Sequence, residues 1–296
     1  METLTPQWTN YELVDSGDGK KLERFAQFTL IRPEPQAKWK PALTAHRWEA
    51  AHGEFAKASR GRPGEWKRRK TMPKRWMMLR RNLKFWVQPT PSGHVGVFPD
   101  QASHWDWIDE VTRHAAEPVR LLCLFGHTGL ATLAAAAAGA EVTHVDASRK
   151  AVAWARENQS LSGLDTRPIR WIVEDAITFV GREARRGNQY DAMVLDPPRF
   201  GRGPDGEIWK LEDSLPELLN ACGKILSNRP VFVLLNVYTT VLTQGRMEKA
   251  AEGLRLRLQG MLGKPGMTIT AGHLAMEDAA RRRISASVFA KARQMK

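Results

Sequence analysis

Leu121-Leu122-Cys123-Leu124-Phe125-Gly126-His127-Thr128-Gly129 is an apolar run of strand length that ends in a turn bearing two glycines. An uninterrupted apolar run leaves no solvent face, so the segment reads as a strand buried on both sides, as in a parallel sheet covered by helices. Gly126 and Gly129 let the backbone approach a ligand closely, and Gly129–Ala138 reads as the helix that follows. Twenty residues beyond Gly126 a second apolar strand, Glu141–Val145, ends at Asp146, whose carboxylate can accept both hydroxyls of a ribose. Strand, glycine turn, helix, strand and acid make a nucleoside-binding unit, and a solvated strand end is the alternative for Asp146. The turn lacks the full Gly-x-Gly-x-x-Gly loop of a dinucleotide site.

Downstream the alternation continues, with helices over Lys150–Leu161 and Leu215–Leu226, strands over Ile169–Val173, Tyr190–Leu195 and Val231–Asn236, and two more strands near Met267–His273 and Arg283–Phe289. The third strand runs into Glu174-Asp175, at the sheet edge where open α/β folds bind ligands. Asp175 suits an adenine amine; Glu174 can exchange roles with it, and capping the next helix is the alternative. The fourth strand ends in Leu195-Asp196-Pro197-Pro198-Arg199-Phe200, and two prolines force the chain out of the sheet rigidly after Asp196. Asp196 can accept a proton or hydrogen bond from an N–H, Pro197 offers a carbonyl, and Phe200 can stack on a flipped base.

Upstream, Gln88-Pro89-Thr90-Pro91-Ser92-Gly93 reads as a linker, and before it strands near Tyr11–Val14 and Arg24–Ile31 flank a turn at Ser16–Gly19. The segment 57–84 holds twelve Lys or Arg against one acid, Glu65, and residues 39–86 carry five tryptophans. Such a stretch suits RNA, with cations on phosphates and aromatic faces on bases; tryptophans packed as core beneath solvated charges are the alternative. The formal net charge of +13 favours polyanionic partners in the same way. Two cysteines, neither in a Cys-x-x-Cys pair, exclude a disulfide framework and fit a reducing cytoplasm. Met1–Asn10 has no secretory pattern, no apolar run spans a membrane, and no His/Cys/Asp cluster has metal-ligand spacing, so neither membrane nor metal is expected. The sequence assigns no oligomeric state.

Phe125-x-x-x-Gly129, Asp146, Asp175 and Asp196-Pro-Pro-Arg-Phe, in this order, closely resemble class I S-adenosyl-L-methionine-dependent methyltransferases related to the bacterial 23S (large-subunit) ribosomal RNA methyltransferases. Gly96-Val97-Phe98-Pro99-Asp100-Gln101 extends the resemblance, being similar to the segment whose Gln helps hold the cofactor. The resemblance implies a Rossmann-like seven-stranded sheet with an antiparallel edge over 89–296, after a small β-rich (α+β) domain over 1–88 without an additional N-terminal RNA-binding module. It further implies S-adenosyl-L-methionine contacts at Gln101, Phe125, Gly126, Gly129, Asp146 and Asp175, with Asp196, Pro197 and Phe200 facing a ribosomal RNA base. One departure matters. Methylation at cytosine C5 needs a thiolate that adds to the ring, yet neither Asp196-Pro-Pro-Arg-Phe nor Asn236-Val-Tyr-Thr-Thr contains cysteine, and Cys123 and Cys222 read as core. A nitrogen acceptor is therefore expected. His127 is a candidate for the cofactor carboxylate, Tyr238 for the acceptor pocket, Gly201–Gly206 for a mobile lid, and Arg199 and Arg202 for phosphate. The competing readings are a catalytically inactive RNA-binding protein with this fold, and a methyltransferase of protein or small molecules.

Overall fold

The computed structural model describes residues 2–57, 64–238, 244–263 and 266–294. Residues 58–63 of the basic segment, and Thr239 and Thr240 after the fifth strand, lie outside the described residues. The chain divides into two compact units: Thr5–Ala102 with Ala275–Ser285, and Met1–Leu4 with Ser103–Leu274 and Ala286–Lys296. Glu2–Leu4 (β1) belongs to the larger.

In the smaller unit β2 (Tyr11–Gly17), β3 (Lys20–Phe25), β4 (Phe28–Pro33), β5 (Gly53–Ala56) and β6 (Glu65–Arg68) form a sheet in that order, with a short helix α1 (Ala45–Glu49) between β4 and β5. β7 (Trp76–Arg80) and β8 (Leu83–Val87) pair as a separate antiparallel hairpin. The expected first turn is present, with Asp18 and Gly19 both left-handed. The strand expected over Arg24–Ile31 is instead two, because Ala26 takes φ +55 and folds Phe25 back opposite Phe28. Ala26-Gln27 carries no turn signal; burial of both phenylalanines against the core imposes the reversal. Of the five tryptophans Trp76 is buried, and Trp39, Trp48, Trp66 and Trp86 are half-buried. Trp76 donates to the Phe25 carbonyl at 3.1 Å, Trp39 donates to Ser16, Trp48 to Asp15 at 2.8 Å and Trp66 to the Thr90 carbonyl at 2.8 Å, while the Arg75 guanidinium lies over Trp86. The charges around them are exposed: Lys67, Arg68, Lys70, Lys74, Arg75, Arg81 and Lys84.

The larger unit opens with α2 (Ala102–Arg113). It then alternates β9 (Arg120–Leu124), α3 (Leu130–Ala137), β10 (Glu141–Asp146), α4 (Arg149–Leu161), β11 (Ile169–Val173), α5 (Ala176–Arg185) and β12 (Ala192–Leu195). A hairpin β13 (Phe200–Arg202) and β14 (Ile208–Lys210) follows, then α6 (Leu211–Ile225), β15 (Phe232–Tyr238), α7 (Gln244–Leu262), β16 (Met267–Glu277) and β17 (Arg283–Gln294). The sheet order is β1-β16-β17-β15-β12-β9-β10-β11. The seven expected strands are present, β17 runs antiparallel to β15, and the three-residue β1 adds an eighth at the edge, too short to show a period in sequence. Side chains alternate across the sheet as the two-residue period requires. Leu122 and Leu124 pack with Phe179 of α5, Leu218 of α6 and Leu258 of α7, whereas Leu121 and Cys123 pack with Ile108 of α2, Ala135 of α3 and Phe289. Helices therefore cover both faces, and loops at the strand ends are free to carry chemistry. No helix among the described residues is long and apolar enough to cross a membrane.

Candidate cofactor and acceptor site

Four strand ends line up. Leu124 of β9 is level with Leu195 of β12 on one side and Val145 of β10 on the other, and Asp146 is level with Val173 of β11. Asp196, the turn 125–129, Asp146 and Asp175 thus stand in a row across β12-β9-β10-β11 at one sheet edge. Three interstrand spacings make the row about 14 Å long, the reach of an extended nucleoside with its substituent.

The turn after β9 is held in an uncommon conformation. Phe125 takes φ +57, His127 φ +48 and Gly129 φ +89, and each left-handed non-glycine residue costs about 1 kcal/mol or more. Asp146 holds the turn there: its Oδ2 accepts from His127 N at 2.9 Å and its Oδ1 from Ser148 N at 2.8 Å. Each oxygen retains a second lone-pair direction, which suits a pair of vicinal hydroxyls. Burial raises the Asp146 carboxyl above its ordinary range, opposed by these two backbone donors. The glycines have separate reasons. A Cβ on Gly129 would come 2.9 Å from Ala155 Cβ, and one on Gly126 would come 2.3 Å from His144 Cε1, a ring buried beneath the turn.

Asp175 caps α5, its Oδ1 accepting from Thr178 N at 2.9 Å, so the helix-capping role is real and sets the direction of its carboxylate. Glu174 is tied to Arg182 at 2.7 Å. His127 does not offer a cation for a carboxylate: burial brings it down to about 4, so the ring is neutral at neutral pH. Gln101 lies in a buried 3-10 turn, Pro99–Gln101, of the smaller unit.

On the acceptor side Pro197 is buried and Pro198 exposed. Phe200 is 56% exposed and Ile208 59%, an apolar pair on the hairpin that follows. The stretch expected as a mobile lid is this paired hairpin. It is anchored by Trp209, buried between its neighbours, whose Nε1 donates to the Pro198 carbonyl at 2.6 Å and whose ring meets Phe125 at 4.8 Å between centroids. One indole therefore joins the glycine turn to the Asp196-Pro-Pro loop. Arg199 forms an exposed ion pair with Glu212 at 3.6 Å, and Arg202 is exposed on β13. Tyr238 ends β15, beside β12. Asn236 Nδ2 donates to Asp196 Oδ1 at 2.7 Å. Cys123 and Cys222 are buried and pushed up to about 12, so neither supplies a thiolate nucleophile. No group of three or more potential metal-ligating side chains exists among the described residues.

Sequence reasoning missed Trp209, Asn236 and His144. An asparagine inside the apolar run Phe232–Tyr238 and a histidine inside Glu141–Asp146 were legible as anomalies, whereas nothing local marks Trp209 as an anchor.

Comparison with known proteins follows this geometry. Residues 36–233 match the family model described as S-adenosylmethionine-dependent methyltransferase. The crystal structure of the SAM-dependent methyltransferase from Agrobacterium tumefaciens superposes with a TM-score of 0.91 at 38% identity, over 99% of this chain and 93% of that one. A chain from Streptococcus mutans shares the fold, with a TM-score of 0.71 at 17% identity over 97% of this chain and 76% of its own. Ribosomal RNA large subunit methyltransferase K of Neisseria meningitidis serogroup B is 28% identical over 52% of this chain and 43% of its own length. Ribosomal RNA large subunit methyltransferase I of Aeromonas salmonicida is 32% identical over 54% and 38%. The match spans less than half the length of either ribosomal RNA enzyme. With the family model covering more than half of its residues, and with the glycine turn and three aspartates aligned at one sheet edge, the chain belongs to the S-adenosylmethionine-dependent methyltransferases.

Proposed function

We propose that this protein transfers the methyl group of S-adenosylmethionine to a nitrogen of an RNA base, with large-subunit ribosomal RNA as the substrate class. The observation that carries the reading is Asp196, held as a hydrogen-bond acceptor at 2.7 Å from the Asn236 amide, at the end of a row of cofactor positions in a chain without a reactive thiol. The residues fit S-adenosylmethionine. Gly126 and Gly129 allow the tight turn after β9 because a side chain at either would clash with His144 or Ala155, and Asp146 beside it accepts one backbone donor on each oxygen. In this reading Phe125, Gly126 and Gly129 receive the cofactor's amino-acid end, Asp146 its ribose and Asp175 its adenine. When bound, S-adenosylmethionine supplies a methyl group already activated on a sulfonium. The chain supplies positioning: Asp196 and the Pro197 carbonyl receive the acceptor N–H, and Phe200, more than half exposed, stacks on the base.

The names of the Neisseria and Aeromonas relatives, the net charge of +13 and the exposed cations of β6 and the β7–β8 hairpin support RNA as the partner. A cytoplasmic location and the division of labour between a basic 1–88 part and a catalytic 89–296 part belong to the same proposal. Calorimetric titration with S-adenosylmethionine, followed by transfer of labelled methyl to ribosomal RNA from a strain lacking the protein, tests it. Asp146→Ala should weaken cofactor binding, and Asp196→Ala should spare binding and abolish transfer. Cofactor binding without transfer to that RNA would overturn the substrate; no binding would overturn the activity and favour an RNA-binding role.

A further inference from the structure

Behind Asp196 lies a buried polar chain inside an otherwise apolar part of the sheet. Asn236 is 1% exposed on β15, between Leu235 at 0% and Val237 at 6%. Its Nδ2 donates to Asp196 Oδ1 at 2.7 Å, and its Oδ1 accepts from Ser287 Oγ, on β17, at 2.9 Å. Ser287 is itself fully buried. An amide in such surroundings is tolerated only when its hydrogen-bonding ends are met, and here the two ends are met by groups of opposite kind. The hydroxyl fills the carbonyl end, so the NH2 end faces the carboxylate; a flipped amide would set its oxygen against Asp196.

We propose that Asn236, oriented by Ser287, is a positioning residue that fixes the Asp196 carboxylate in one direction and as an acceptor for the N–H of the methyl acceptor. The proposal rests on the role given to Asp196 above. A hydrogen-bond donor on a carboxylate favours the ionised form, so removing the Asn236 amide is expected to raise the titration midpoint of the carboxyl it meets. Two ionisable groups lie near the pair: His104 of α2, which meets Asn236 and feels Lys291 of β17, and Cys123 of β9, which feels Asp196 and Asp146. His104 is neutral, burial and then Lys291 bringing it to about 3, and Cys123 is neutral as well, so neither supplies Asp196 with a cation.

The test uses the full chain with carbon-13-labelled aspartate carboxyls, the Asp196 resonance being identified by its loss in D196N. In N236A the Asp196 midpoint should rise by about one pH unit, and the transfer rate to ribosomal RNA should fall on the order of 100-fold with cofactor affinity unchanged. N236D should invert the pH profile. Two carboxylates at this distance share one proton, so the bond to Asp196 returns as pH falls and the rate recovers on the acid side, where the wild type loses it. S287A, which deletes one hydroxyl, should move the midpoint in the same direction by less, and it carries the test alone where N236A does not fold. A midpoint unmoved in S287A and in folded N236A overturns the proposal. If the wild type transfers no methyl to ribosomal RNA, the substrate reading fails while the carboxyl titration still decides the role of Asn236.

Discussion

Gly126→Ala isolates what holds the glycine turn after β9 in shape. Gly126 is not among the left-handed residues, so alanine meets no backbone strain there; the whole cost lies in space. The added Cβ would stand 2.3 Å from His144 Cε1, 2.5 Å from Nδ1 and 3.1 Å from Nε2. The ring has little room to withdraw, being 0% exposed, bonded through Nδ1 to Thr132 Oγ1 at 2.9 Å and packed on Trp171 at 4.6 Å between centroids. Overpacking of this kind costs about 1–3 kcal/mol, or roughly 3–9 °C in melting temperature for a unit of this size. The decisive measurement is a double-mutant cycle by urea denaturation. His144→Ala alone opens a cavity and destabilises; in the Gly126→Ala background it also removes the clash, so the double variant should be no less stable than His144→Ala, with a coupling of about 1 kcal/mol or more. S-adenosylmethionine affinity should fall in Gly126→Ala and recover in part in the double variant. Additive losses would refute the argument that His144 dictates glycine at 126.

Three histidines, two of them fully buried, predict acid sensitivity. His104 and His144 are held near 3 and His127 near 4, chiefly by burial, so all are depressed below an unfolded value of about 6.5. Their stabilising effect is complete above about pH 6.5 and is lost as pH falls toward those folded values, about 2 kcal/mol for each by pH 5, which chemical denaturation at pH 8, 6 and 5 should detect; a flat profile would mean that these rings are protonated in the native state. Trp209→Phe keeps the packing on Phe125 but leaves the Pro198 carbonyl without its 2.6 Å donor, a loss of about 1–3 kcal/mol, and should lower transfer more than cofactor binding; equal losses in both would show that the indole serves stability alone. Reversing the exposed Lys67 and Arg68 should weaken RNA binding and reduce the salt slope by about 0.7–0.9 for each phosphate that is no longer neutralised. Arg69 is a poorer choice because it pairs with Glu54. An unaltered slope would move the RNA surface elsewhere.

Much of the catalytic unit is written locally. The doubly apolar strands Arg120–Leu124 and Ala192–Leu195, the glycine turn and the two prolines after Asp196 each constrain their own backbone, and the structure keeps them where their patterns require. The helix α5 was harder to see because Glu183 interrupts its buried stripe, and the strand break at Ala26 has no local signal at all. In the smaller unit composition alone left the tryptophans open between surface and core; the structure buries Trp76 and half-buries the others, with the N–H groups of Trp76 and Trp66 meeting the Phe25 and Thr90 carbonyls.

The sequence by itself determined the parallel sheet, the glycine turn after the first buried strand, the three aspartates at strand ends and the missing nucleophilic thiol, because each depends on residue type and short-range period. Only the tertiary structure decided how those aspartates are held. Asp146 clamps the turn at His127, Asn236 reaches Asp196 from forty residues away, Ser287 orients Asn236 from a further strand, and Trp209 ties Phe125 to Pro198. These interactions join residues far apart in the chain and brought together by strand order β17-β15-β12-β9-β10, and a buried hydrogen bond forms only where the fold supplies both donor and acceptor.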